Sequence, residues 1–174
     1  VSKSFTATAI GFAVTEQRLS LQDKVTGFFT DELPDTVSQF LKHLTVKDLI
    51  TMSAGQSPDP TRRILKSNQW VKHFLSIPIV DTPGTKFLYN SAATFMLSAI
   101  IQKITGERLI DYLTPRLFQP LGISGIDWEE NPEGINAGGW GLRLKTEDMA
   151  KFGQFFLQKG NWQGKQLLPA SWIE

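Results

Sequence analysis

The sequence contains no cysteine, which excludes disulfides, thiolate metal sites and a cysteine nucleophile outright. Histidine is scarce as well. His43 and His73 stand far apart, so no histidine metal cluster is expected. No Ser-His-Asp arrangement can be traced through either one, and both read as helix-surface or capping residues. No apolar run approaches the roughly 20 residues that span a bilayer. Neither sign of charge dominates: 18 Lys and Arg against 17 Asp and Glu leave a formal net charge of +1. That balance gives no electrostatic footprint for nucleic acid or an anionic membrane. A phosphate-cradling loop is also missing, because the glycines from Gly134 to Gly141 are not followed by a helix-borne lysine. A turn between short strands accounts for them.

What is present is the material of a globular core. The 174 residues are 41% hydrophobic and 11% aromatic, enough for one domain or a piece of a larger one. The chain opens at Val1 without an initiator methionine and stops at Pro169-Ala170-Ser171-Trp172-Ile173-Glu174, where a helix has only begun. Both ends are therefore expected to be interior points of a longer chain. Internal repeats and low-complexity segments are absent.

The periodicity predicts mostly helix. From Ser4 to Gln17, Phe5, Ile10, Ala13 and Val14 gather on one face, and Gly11 within it marks either a weak point or close packing. Thr45 is a plausible N-cap for a helix through Met52, with Gly55 just past its end. Pro58 and Pro60 require a loop. A helix over Asn68–Ser76 follows, then an extended connection with a Pro83-Gly84 turn. The strongest signal runs from Ser91 to Ile104, with Ala92, Phe95, Met96, Ala99 and Ile100 on one stripe and Gly106 as the stop. A helix from Glu107 to Phe118 contains Pro115 and is expected to end or kink near Leu113. Ile126–Trp128 and Trp140–Leu144 read as short strands around a Gly- and Asn-rich loop. Thr146 reads as the N-cap of a last long helix reaching toward Gly160, with Glu147 and Asp148 in its positively polarised first turn.

Most chemistry-bearing residues have plain structural readings. The adjacent acids Glu129-Glu130 and Glu147-Asp148 fit solvated or helix-dipole roles better than an acid/base pair. The tryptophans fit core or domain-edge anchors better than stacking platforms. Lys3 and Tyr89 remain. Lys3 begins a small-residue helix, where a hydroxyl one turn earlier would share its face. An ammonium in that position can serve as a base if its surroundings favour the neutral amine.

At these residues the chain resembles the serine β-lactamases and penicillin-binding proteins, in particular the class C-related branch. Val1-Ser2-Lys3-Ser4-Phe5-Thr6 is similar to the tail of that family's Ser-x-x-Lys motif. Leu44 to Gly55 is similar to the segment that ends in His-Thr-Ser-Gly. Pro83-Gly84-Thr85-Lys86-Phe87-Leu88-Tyr89-Asn90-Ser91 resembles Pro-Gly-x-x-Phe-x-Tyr-Ser-Asn. Phe118-Gln119-Pro120-Leu121-Gly122-Ile123, Gly138-Gly139-Trp140-Gly141-Leu142 and Thr146 to Gly153 continue the series in order.

The resemblance implies an α+β parent fold, an antiparallel sheet plus a helical domain, of which residues 1–174 form a single partial domain. This part would be mostly α-helical with a few short strands. It implies a serine hydrolase acting through an acyl-enzyme, of β-lactamase, D-alanyl peptidase, esterase or amidase type, without metal or organic cofactor. Lys3 and Tyr89 would be catalytic; Ser91 and Trp140 would bind substrate, a small molecule or a peptide. Ser91 stands where β-lactamases usually carry Asn, which leaves esterase, amidase and peptidase activity open. The nucleophilic serine would immediately precede Val1, and the Lys-Thr-Gly-like third motif and the sheet segments would flank the chain. Residues 1–174 alone would then be inactive. An extracytoplasmic location follows from the same resemblance. The competing expectation is a non-catalytic homologue that uses the same cleft to hold a peptide or cell-wall ligand.

Overall fold

A computed structural model describes residues 1–174. Its centre is a pair of helices: α1 (Ser2–Thr15) and, later in the chain, α7 (Ser91–Thr105). Between them come four short pieces, α2 (Val25–Phe28), α3 (Gln39–His43), α4 (Val46–Ile50) and α5 (Thr61–Ile64), and then α6 (Trp70–Ser76). After α7 follow α8 (Leu109–Leu113), a π-helical turn over Thr114–Phe118, the strands β1 (Asp127–Trp128) and β2 (Leu142–Arg143), and α9 (Thr146–Leu157). A second hairpin, β3 (Asn161–Trp162) and β4 (Lys165–Gln166), leads to α10 (Ala170–Ile173). Both strand pairs are antiparallel, with Trp128 opposite Leu142 and Trp162 opposite Lys165. The chain is thus mostly helical with a few short strands, as expected. No helix is long and apolar enough to cross a membrane.

The two central helices are buried nearly all round. Phe5, Ala9, Ile10 and Ala13 of α1 are inaccessible, and so are Thr6 and Thr8 on other faces. A helix enclosed in this way sits inside a core rather than on its surface. Around it, Phe5 stacks on Phe152 of α9 at 3.9 Å and meets Phe118 at 5.7 Å. Gly11 is a point of close packing: a Cβ there would stand 2.4 Å from the Trp172 indole. On α7 burial is continuous from Ala92 to Ile101. Asn90 caps its start by accepting from the Ala93 amide at 2.9 Å, and Gly106 ends it in the left-handed conformation at φ 75°.

Several boundaries differ from the expectation for identifiable reasons. The helix expected over Glu107–Phe118 is α-helical only to Leu113. Pro115 has no amide hydrogen to continue the ladder, and the backbone widens, with Gln119 N donating to Thr114 O at 2.9 Å. Thr146 is not the N-cap of α9: Lys145 takes that position, and no side chain caps it. Of the two roles expected for Asp148, the solvated one does not hold: it is buried in the first turn of α9 and paired with Lys151 Nζ at 2.7 Å. Helix α1 starts at Ser2 and ends at Thr15, because Gln17 turns to φ 58°. Helix α6 starts at Trp70, two residues late, since the Ser67 hydroxyl holds the Gln69 amide in a turn. The β3–β4 hairpin was not expected. Its signal was Gln163-Gly164, a two-residue turn with φ 50° and 82° that suits the twist of a hairpin.

Candidate active site

Lys3 projects from the first turn of α1, and its Nζ donates to the Gly139 carbonyl at 2.5 Å. The same ammonium lies 4.9 Å from the centroid of the Tyr89 ring. These two residues come from segments 86 positions apart in sequence, so their meeting is a product of the fold.

Tyr89 is delivered by a well-anchored connection. Thr45 and Asp48 form a reciprocal capping box that starts α4. Beyond α4 the backbone of Met52–Gly55 becomes a docking strip. Ser53 O accepts from Gly84 N at 2.8 Å, Met52 O from Leu88 N at 2.9 Å, and Gly55 O from Val80 and Asp81. Gly55 must be glycine, since at φ 81° its Cβ would fall 2.1 Å from the Asp81 carbonyl. The residue after Tyr89, Asn90, is buried and turned inward, capping α7 and donating to Gln56 Oε1 at 3.2 Å. Held on both sides, Tyr89 itself stands out, with 57% of its surface exposed.

Ser91, the first residue of α7, faces the other side of the cluster. A Cβ on Gly139 would stand 2.7 Å from the Ser91 carbonyl, so the loop backbone packs directly on the helix start. Trp140 follows Gly139 and is fastened as a wall. Its carbonyl accepts from Trp128 Nε1 at 2.9 Å, its indole donates to Glu129 at 3.2 Å, and its ring lies 5.7 Å from Trp70. The structure therefore brings Lys3, Tyr89 and Ser91 to one place, with Trp140 joined to them through Gly139.

The electrostatics are asymmetric. The Lys3 ammonium, by hydrogen bonding and by its charge, holds the Tyr89 phenol below its ordinary pKa. Ser91 acts in the same direction. An exposed phenol that ionises early beside a fixed cation can take up a proton and pass it on. The roomiest concavity, about 620 Å³ between Val14 and Asp23, lies at the opposite end of α1. There Asp23 is taken up by the Ser20 amide at 2.8 Å. No group of three or more His, Asp or Glu side chains converges as metal ligands.

Sequence reasoning missed what holds the loop before Trp140. Asn136, buried, accepts from Ile110 N at 3.0 Å, and the Ser98 hydroxyl donates to its carbonyl at 2.7 Å. The Gly138-Gly139 pair was the available signal: glycines there let the backbone approach α1 and α7 where no side chain fits.

The Beta-lactamase family model matches residues 1–172. Among curated proteins, the "Beta-lactamase" of Escherichia coli (strain K12) is 24% identical, over 88% of this chain and 45% of its own length. The 6-aminohexanoate-dimer hydrolase of Paenarthrobacter ureafaciens is 26% identical, over 100% of this chain and 48% of its own. Among solved structures, an octameric penicillin-binding protein homologue from Pyrococcus abyssi shares the fold. Its TM-score is 0.72 at 23% identity, covering 99% of this chain and 46% of that one. The chain spans about half the length of the relatives it matches. With a match that runs from Val1 to Trp172 over a shared fold, this chain belongs to the beta-lactamase family, the serine β-lactamase and penicillin-binding-protein group.

Proposed function

We propose that residues 1–174 are the helical part of the catalytic domain of a serine hydrolase that works through an acyl-enzyme. The observation that carries this reading is the Lys3 ammonium set over an exposed Tyr89 whose phenol it acidifies. A serine one turn before Lys3 on the α1 face would attack the substrate's acyl carbon. As its oxygen bonds to that carbon, its proton passes to the Tyr89–Lys3 pair. The bond to the leaving group then breaks, and the leaving group takes the proton. Water hydrolyses the resulting ester, which releases the acid and restores the serine. The nucleophile's own backbone amide and one from a sheet strand would stabilise the oxyanion.

Ser91 would hydrogen-bond Lys3 or the substrate amide, with a shorter reach than asparagine has. Trp140, fixed by Trp128 and Glu129, would form the wall against which the acyl or leaving group lies. The Ser91 substitution favours ester, amide or D-alanyl peptide substrates over a dedicated β-lactam site. The reading carries an extracytoplasmic location with it, to be checked by fractionation of the host. It also makes residues 1–174 inactive by themselves, since the nucleophile and third motif would come from flanking sequence.

The test is covalent labelling of the full-length protein with a fluorophosphonate and with a fluorescent penicillin. Labelling of a serine three residues before Lys3, found by peptide mapping, is the expected result. A non-nucleophilic residue at that position, or no label from either probe, would sink the catalytic reading and favour a ligand-binding homologue.

A further inference from the structure

Three threonines of α1 share one helix but not one habit. Thr8 and Thr15 return their hydroxyl protons to the carbonyl four residues back, Ser4 O and Gly11 O, each at 2.8 Å. That is the default for a hydroxyl inside a helix. Thr6 is different. Its own helix carbonyl, Ser2 O, is 3.3 Å away, while its shorter bond, 2.8 Å, leaves the helix for the Gly138 carbonyl. Thr6 is fully buried, so this bond is made where no water competes for it.

The carbonyl it holds belongs to a tight turn. Gly138 has φ 64°, and Gly139 N donates back to Ala137 O at 2.6 Å. With glycine at its centre this tight turn carries no steric penalty, but glycine is equally free to leave it for many other conformations. The Thr6 hydroxyl holds it from outside. The turn is also what aims the next carbonyl, Gly139 O, at Lys3 Nζ. Thr6 stands three residues after Lys3, on the same face of α1.

Resting on the reading of Lys3 as part of the proton-transfer pair, we propose that Thr6 is a positioning residue for Lys3: its hydroxyl pins the Gly138 turn so that the Gly139 carbonyl fixes the ammonium beside Tyr89. Without the pin the turn relaxes, and the ammonium loses the acceptor that keeps it in one place. Thr6 touches no reacting atom. It acts through two backbone carbonyls.

The experiment compares three variants of the full-length protein in their reaction with a fluorophosphonate, resolved into the maximal inactivation rate and the half-saturating concentration. Thr6→Val keeps the shape and removes the hydroxyl. Its maximal rate is expected to fall on the order of tenfold, the scale of a small misplacement in an active site, with half-saturation unchanged. Thr6→Ser is expected to restore the rate. Thr8→Val removes an equally buried hydroxyl from the same helix and is expected to react like the parent. Equal losses in Thr6→Val and Thr8→Val, or no recovery with Thr6→Ser, would reduce Thr6 to a packing role and overturn the inference. Lys3→Ala separates the two levels: parent-like reaction in that variant removes the reading underneath, whereas a large loss there leaves only the role of Thr6 in question.

Discussion

Each end of α1 places a tyrosine beside an ionic side chain, and the two are set in opposite ways. At the N-terminal end Tyr89 is more than half exposed, and the Lys3 cation lowers its phenol pKa. At the C-terminal end Tyr112 is inaccessible and donates to Glu16 Oε2 at 3.1 Å. Burial first, and then the Glu16 charge, push that phenol well above the ordinary tyrosine range. Arg116 covers the Tyr112 ring at 3.9 Å and grips Glu16 at 2.6 Å. At this end every partner is taken up by another: Tyr112, Arg116 and Arg18 all converge on Glu16. The contrast teaches that a tyrosine near a charge is not in itself a sign of chemistry. The sign of the charge and the access of water decide whether the phenol is reactive or structural.

Substitutions at the two ends should have opposite consequences. Lys3→Ala or Tyr89→Phe in the full-length protein should lower kcat by at least about a hundredfold, the scale of losing a general base. The melting temperature should stay close to the parent's. Turnover like the parent's would remove that residue from the mechanism. At the other end, Glu16→Ala leaves the Tyr112 hydroxyl without its acceptor and Arg116 with only the Tyr112 carbonyl. The expected loss in urea unfolding is about 1–3 kcal/mol, with kcat essentially unchanged. A kcat loss comparable to that of Lys3→Ala would erase the distinction between the two ends.

Two titrations sharpen the contrast further. In the full-length protein the phenolate signal of each tyrosine can be isolated by difference, against Tyr89→Phe and against Tyr112→Phe. Tyr89 should ionise below the usual value of about 10, and Tyr112 only as the protein unfolds in alkali. Lys3→Ala should move the Tyr89 step upward; an unmoved step would mean that the ammonium does not govern the phenol. The smallest effect concerns acid. Burial alone would raise the Glu16 carboxyl, but the hydrogen bond and charge of Arg116, with the Tyr112 hydroxyl, outweigh it and leave the pKa lowered. A carboxyl lowered by folding contributes stability that is complete above its unfolded value, about 4.3. That contribution is lost as pH falls through the lower folded value. Glu16→Gln should therefore flatten the decline of stability below about pH 4, and an unchanged slope would contradict the pairing.

Much of this was legible in the sequence because it is local. The Ser91–Thr105 helix announced itself by its stripe and by Gly106, and Thr45 by its capping residues. Even the interruption at Pro115 could be read, though not its form, since a π turn and a break leave the same trace in a sequence. Lys3, Tyr89 and Ser91 came from ordered motifs, and the fold puts them together. What could not be read was long-range and carried by backbone. The acceptor for Lys3 is a carbonyl, which every residue has, so nothing in the letter at position 139 advertises it. The burial of Asp148 escaped for a related reason: its partner Lys151 looks like any surface lysine until the fold brings Gly122 O to within 2.9 Å of its ammonium.

The Gly138-Gly139 turn has one more consequence, and it concerns time. Lys3 and its carbonyl acceptor are separated by 136 positions, and Thr6 and the turn it pins by 132. During synthesis α1 is made before residue 139, so the ammonium lacks its carbonyl acceptor until that residue has been added. A contact of such sequence separation carries a large closure entropy and forms late. The Lys3–Gly139 bond therefore closes only after most of the core-forming sequence has been made.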